Sequence, residues 1–409
     1  MSIPEEAADA SELEARTADP RTALCLSGGG FRAALFHLGA LRRLNELGVL
    51  SKVSTISSVS GGSILAAHLA THVRPWPAAG SPFADWSEKV EAPFHRFVKN
   101  DIRTTPVLKR FLLPWNWPRP STQVKALEAC YLKHLTDLKL SDLPEQPTFV
   151  FCAADMVFGV SWVFERRRVG SYQAGYFTPP ADYPVARAVA ASSCFPPVFS
   201  PLPIEMPPVQ APKGSGKRSR LIGMSVSDGG LYDNLGLQPV EKHGTVLVSD
   251  GGQPFVAAIP HGLFGRAKAY LNVSGKQAGA LRKRLLISQF VDGIRKGTYW
   301  GIGSAVQRYR SNAAPGYSKE LATSTIAPIR TDMDAFSDAE IAVLMNHGYL
   351  LADIALEVHA PQLLGSSAAK AIPHSQWMDE AAVAQALKHS DERNWLGLWS
   401  TRSASGLEG

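Results

Sequence analysis

Cysteine is scarce: Cys25, Cys130, Cys152 and Cys194 are the only four in 409 residues. None stands two residues from another, so the spacing offers neither a zinc site nor a disulfide framework, and a reducing compartment suits it. No run approaches the roughly 18 consecutive apolar residues that span a bilayer. The acidic opening MSIPEEAADASELEARTADP lacks the apolar segment of a secretory signal. Eleven histidines are present, and none has a placement that marks a ligand or a catalytic partner; His243, in EKHGT, reads as a loop residue. These absences predict a cytoplasmic protein, at most peripheral to a membrane, with neither metal nor other cofactor.

What is present is a large apolar fraction, 45% of residues, enough for the core of an enzyme-sized globular protein. The net charge of +6 favours an anionic partner, either nucleic acid or a phospholipid surface. After a solvated tail over residues 1–20, TALCLSGGG reads as a strand ending in a glycine turn. FRAALFHLGALRRLNEL follows with helical spacing, and Gly48 stands where a glycine would end the helix. KVSTISS and GGSILAAHLATHV repeat the strand–helix alternation, which predicts a βαβ unit and a parallel sheet. Residues 74–120 break the pattern with Trp76, Trp86, Trp115 and Trp117 among prolines, and read as an insertion. PTFVFCAADM and VSWVFERRRV resume strand character, and LIGMSVSDGG and TVLVSDGG are strands ending in Asp-Gly-Gly. Beyond residue 256 the pattern turns helical, with a capping box from Ser337 to Glu340.

Two glycine-rich turns carry the chemistry. Gly28, Gly29 and Gly30 follow a strand and open a helix, so their N–H groups form a nest for an anion or an incipient oxyanion. A dinucleotide fingerprint also fits Gly28, Gly30 and Ala33, but it requires an acidic residue at the end of the next strand, where Ser57 and Ser58 stand instead. A ligand-free tight turn is the third reading. In SVSGGS, Ser60 with Gly62 two residues on has the form of a nucleophile elbow, with Ser58 in place of the usual first glycine. Gly30 and Ser60 are separated by one helix and one strand, so a right-handed crossover lays their strands side by side and turns the nest toward the hydroxyl. A base could come from Asp228 or Asp250, each at the end of an SDGG strand. A carboxylate must be partly buried to serve as a useful base.

Taken in order, SGGGFRAALFHLGALRRLNELGVL, SVSGGS, AASSCFPPVF and SDGGLYDN resemble the patatin-like phospholipase family over residues 21–255. The resemblance extends more loosely to FSDAEIAVLMNHGY. It implies a three-layer α/β/α fold with a mainly parallel sheet, and acyl-ester hydrolysis of membrane lipids by a Ser–Asp dyad. Ser60 matches the nucleophile, Asp228 the general base, Gly28, Gly29 and Gly30 the oxyanion loop, and Arg32 the basic residue after it. The trailing Asn234 of DGGLYDN favours Asp228 over Asp250. Arg32 also reads as a helix-start residue paired to a nearby carboxylate.

The chain then divides into a catalytic region over 21–360 and a C-terminal extension over 361–409. The catalytic region holds the motif-bearing core 21–255, the insertion 74–120 and a helical part 257–360. The expected substrate is a phospholipid or lysophospholipid at an anionic membrane surface, with no nucleic-acid partner. The rival reading is a non-enzymatic lipid- or nucleotide-binding protein that uses the same glycine loop. The Trp/Pro insertion is equally a membrane-facing lid or a cover for one end of the sheet. Arg166–Arg168 and the cluster Lys213, Lys217, Arg218 and Arg220 suit either anionic headgroups or a solvated face.

Overall fold

The strand–helix alternation at the start of the chain folds as its apolar pattern requires. In the computed structural model, which describes residues 20–102, 122–196, 199–204, 224–254, 262–310, 315–365 and 369–390, β1 (Thr22–Leu26) is buried along its whole length. It leads through the glycine turn into α1 (Gly30–Glu46). β2 (Thr55–Val59) lies parallel to β1, with Leu26 opposite Ser58, and leads into α2 (Gly61–His72). Strands covered on both faces read as continuous apolar or small-residue runs, which is the pattern of ALCL and TISSV.

The sheet extends on both sides of this pair. β9 (Thr245–Asp250) lies parallel to β1 on its free side, and β10 (Lys296–Gly301) parallel to β9. β3 (Thr148–Asp155) lies parallel to β2, completing a parallel block of five strands. From β3 outward the order continues antiparallel through β4 (Ser161–Phe164), β5 (Val169–Ser171) and β6 (Gly175–Phe177).

β3 outruns β2, and β8 (Ser225–Asp228) takes the vacant edge, running antiparallel to β3 and backed by the two-residue β7 (Leu202–Pro203). Asp228 therefore does not end a parallel strand as Asp250 does. It comes down toward the end of β2 from the opposite direction, opposite Ala153, one residue past the Val59–Cys152 pair.

One face of the sheet (Leu24, Leu26, Ile56, Leu247) packs into the main core with residues of α1, α2 and α5 (Val185–Ser193). The long α7 (Asp338–His359) joins the same core. Gly39 and Gly348 let α1 and α7 touch backbone to backbone, since a Cβ on either would overlap a carbonyl of the other helix. The opposite face (Ala23, Cys25, Val246, Val248) is closed more thinly, by Leu235, Leu237 and Val240 from a loop and Leu286 from α6 (Gly262–Val291). The result is the expected three-layer α/β/α arrangement.

Several sequence expectations are sharpened or overturned. α7 has the expected capping box, but its 22 residues pass the length and hydropathy test for a bilayer span that the sequence reading found nowhere. Its apolar window is 89% buried inside the protein, as suits a core helix. β10 interrupts a region read as wholly helical. In the insertion, Trp86 is buried and Trp76 meets Phe149 edge-on, so this part covers the sheet. Trp115, Trp117, the acidic tail and the cluster Lys213–Arg220 lie outside the described residues. Arg166 donates to the Leu143 carbonyl, Arg167 pairs with Glu145 and Arg168 with Glu165, so the arginine run is held by local acceptors.

Candidate active site

Ser60 sits on the turn from β2 to α2 with φ 50° and ψ −116°, a backbone conformation that costs a non-glycine residue about 1–3 kcal/mol. The surroundings impose it. A Cβ on Gly62 would lie 2.3 Å from the Leu26 carbonyl oxygen, so α2 approaches β1 too closely for any side chain there. Ser58 is accommodated in place of the usual glycine because its hydroxyl donates to the Val150 carbonyl at 3.1 Å and accepts from Ser63. The Ser60 N–H donates to the Ser192 hydroxyl at 2.9 Å, and Ser192 in turn donates to the Cys152 carbonyl at 2.6 Å.

Ser60 is half-buried at the sheet edge, and its side chain acts on the Asp228 carboxylate in the direction that lowers the carboxyl's pKa. Asp228 is buried, accepts from the Gly230 N–H at 2.8 Å, and gives its own N–H to the Cys194 carbonyl. Burial pushes its carboxyl up to about 6, against the opposing pull of the Gly230 N–H and of the Ser60 side chain. That places the group near neutrality, where a carboxylate can both accept and return a proton. The end of α5 thus fixes both partners, Ser192 through the Ser60 amide and Cys194 through the Asp228 amide.

The glycine turn faces this pair as the topology predicts: a Cβ built on Gly28 would stand 3.1 Å from the Ser60 Cβ. Its donors are not equivalent. The Gly28 N–H is already given to the Asn234 carbonyl at 3.1 Å, so Gly28 shapes the loop and is not free to hold a substrate oxygen. Arg32 is fully buried, with Nε and Nη2 on the Gly251 carbonyl and Nη1 on the Ile329 carbonyl. It clamps the loop from behind, and its acceptors are carbonyls where a carboxylate was the alternative. The N–H groups of Gly29 and Gly30 make no hydrogen bond among the described residues.

The rival base is occupied elsewhere. Asp250 ends β9, with β1 between it and β2; it accepts from the Tyr299 hydroxyl at 2.5 Å and from the Gly252 N–H. His243 meets Thr55 at the start of β2, the end of the strand remote from Ser60, and so serves no triad. His37 lies buried between the Ser27 carbonyl and the Ser249 hydroxyl, and burial pushes its ring down to about 4, so it is neutral. The sequence reading gave Ser192 no role. The only sign was its place in AASSC, where a helix ends in hydroxyl residues and no charged side chain.

The model of the patatin-like phospholipases matches residues 24–240, more than half of the chain. No curated protein sequence matches it. Among solved structures, human GIVD cytosolic phospholipase A2 is similar over 94% of this chain and 64% of that one, with 13% identity and a TM-score of 0.48. The chain thus spans less than two thirds of that protein's length. VipD from Legionella pneumophila is similar over 91% of this chain and 76% of that one, with 14% identity and a TM-score of 0.36. On the family match, covering all four sequence motifs, the chain belongs to the patatin-like phospholipase family.

Proposed function

We propose that the protein is a serine acyl hydrolase that cleaves acyl esters of phospholipids or lysophospholipids through an acyl-Ser60 intermediate. The observation that carries this reading is the convergence of Ser60, on its strained elbow at the end of β2, with the buried Asp228, which β8 brings to the same level opposite Ala153. Asp228 takes the Ser60 proton as Oγ attacks the ester carbonyl carbon. The carbonyl oxygen becomes an oxyanion facing the N–H groups of Gly29 and Gly30, where each donor is worth about 10²–10³ in rate. The tetrahedral intermediate collapses, and Asp228 gives the proton to the departing alcohol. Water, deprotonated by Asp228, then attacks the acyl carbon and releases the fatty acid with Ser60 restored. Residues 21–360 act as the catalytic unit in this scheme, working at an anionic membrane surface.

The test is hydrolysis across a panel of phospholipids and lysophospholipids by wild type, Ser60→Ala and Asp228→Ala. Each substitution is expected to lower kcat by about 10³-fold or more while leaving the fold intact. Lipid binding with no turnover by wild type would favour the rival reading, a binding protein built on the same loop.

A further inference from the structure

Among the described residues, large exposed apolar side chains fall mainly in two places, along α6 and on the sheet edge that carries Ser60. β3 continues three residues past Val59's partner Cys152, so the turn that follows it rises roughly 13 Å above that level at about 3.3 Å per residue. At its tip Met156 is 47% exposed and Val157 54%. The turn from β5 to β6 points the same way, since β5 runs in the direction of β3, and it carries Tyr172 at 54% exposure. Phe195, 49% exposed, stands lower, beside the Asp228 amide that the preceding Cys194 carbonyl accepts.

These tips are braced. One Asp155 carboxylate oxygen accepts the N–H groups of Val157 and Phe158, and the other accepts the Ser171 hydroxyl, tying the two turns together. The Met156 N–H donates to the Ser225 carbonyl at the head of β8, the strand that ends in Asp228. Rigid turns that hold apolar side chains in water forgo the gain of burying them, which a partner of apolar chemistry would restore.

We infer that Met156, Val157 and Tyr172 form a docking rim that enters the surface of a lipid bilayer and sets the Ser60 recess beneath it. The inference rests on the proposed lipid substrate. The sequence agrees with this occupant: the described chain leaves at Ile204 and returns at Met224, joined there by a main-chain hydrogen bond, and the next residue, Ser225, accepts the Met156 N–H. Between them stand Lys213, Lys217, Arg218 and Arg220 against the single acid Glu205, the balance that suits anionic headgroups. Arg168 is spent on Glu165 and on the ring of Tyr176, so the arginine run is no part of the rim.

The test is co-sedimentation of Ser60→Ala protein with vesicles of phosphatidylcholine and phosphatidylglycerol, which removes turnover from the readout. Adding Met156→Glu, Val157→Glu and Tyr172→Glu is expected to weaken vesicle partition by about tenfold or more. In the Ser60 background the same three changes should leave hydrolysis of a water-soluble short-chain ester within about twofold, because none touches the dyad. Leu285→Glu, exposed on the outer side of α6, is the control and should partition as its parent does. If the charged variant does not fold, Met156→Ser with Tyr172→Ser gives the same comparison at smaller amplitude. Parent protein that ignores vesicles, or rim variants that bind as the parent does, would overturn the rim. Vesicle binding through the rim with no ester hydrolysis would leave it standing and remove the catalytic reading instead.

Discussion

The main-chain N–H of Ser60 donates to the hydroxyl of Ser192 at 2.9 Å, a contact between residues 132 positions apart in the sequence. It is anchored at the far end by the Cys152 carbonyl and at the side by Ser63, 2.8 Å away. The elbow is therefore held by three hydroxyl groups, those of Ser58, Ser63 and Ser192, at the point where its backbone is strained.

Ser192→Ala would leave the Ser60 N–H without its acceptor in a nearly closed site. Losing such a bond costs about 1–2 kcal/mol, so kcat should fall about tenfold or more. KM for a soluble ester should stay within about twofold, since Ser192 positions the nucleophile and leaves the substrate untouched. Cysteine or glycine at the position should do no better, and threonine should recover part of the rate. Steady-state kinetics on the four variants separates this from general destabilisation, which would lower the active fraction and leave kcat per active site unchanged.

In the proposed mechanism Asp228 ties activity to pH. As the ionised base with a pKa near 6, it should give kcat/KM an acid limb that rises with pH and levels off above about 7. The sign for stability is opposite. The folded carboxyl holds its proton up to about 6, whereas the ordinary value is 3.8, so folding stability falls as pH rises between these values and stays at the lower level above them. A difference of about two pKa units corresponds to roughly 3 kcal/mol. Asp228→Asn should thus be inactive yet more stable than wild type by about 2 kcal/mol at pH 8, with the advantage gone below about pH 4. Urea unfolding at the two pH values measures it, and equal differences at both would contradict the assignment.

Gly62→Ala tests the close approach of α2 to β1. The added methyl would meet the Leu26 carbonyl oxygen at 2.3 Å, backbone against backbone, with no side chain able to yield. A loss of about 2–4 kcal/mol is expected. Ser58→Gly, which restores the usual motif residue, should also destabilise, by about 1–2 kcal/mol, because it removes the bonds to Val150 and Ser63 and loosens the unfolded chain's reference. Thermal unfolding of the pair would show Gly62→Ala as the more damaging.

Arg32→Lys separates a clamp from a catalytic cation. The guanidinium reaches two carbonyls on different segments, Gly251 and Ile329, a fork that an ammonium group cannot reproduce. Burial lowers its pKa to about 9, so its charge is already costly. Lysine should lower the unfolding free energy by about 2 kcal/mol or more, with activity lost in step with stability. Activity lost at unchanged stability would point to direct contact with substrate.

Much of this was legible in order and little of it in direction. TALCLSGGG and STISSVSGGS each carry a strand, a glycine turn and the start of a helix, so the adjacency of the nest and Ser60 followed from handedness alone. The two SDGG segments look alike as text, and nothing within them reveals that β9 runs parallel to its neighbours while β8 runs antiparallel. That difference is set by β3, which outlasts β2 and leaves an edge open, and by the β7 pairing. The donors of the nest could not be ranked either, because the partners of Gly28 and Arg32 come from residues more than 200 positions away. β10 was hidden for another reason: KGTYWG is short, carries two glycines and follows a strongly helical run.

The most direct measurement is intact-protein and peptide mass spectrometry after treatment with a fluorophosphonate probe. The account predicts one adduct per chain on the peptide bearing Ser60, abolished by Ser60→Ala and greatly slowed by Asp228→Asn. Labelling that persists in Ser60→Ala, or that maps to another serine in wild type, would contradict it.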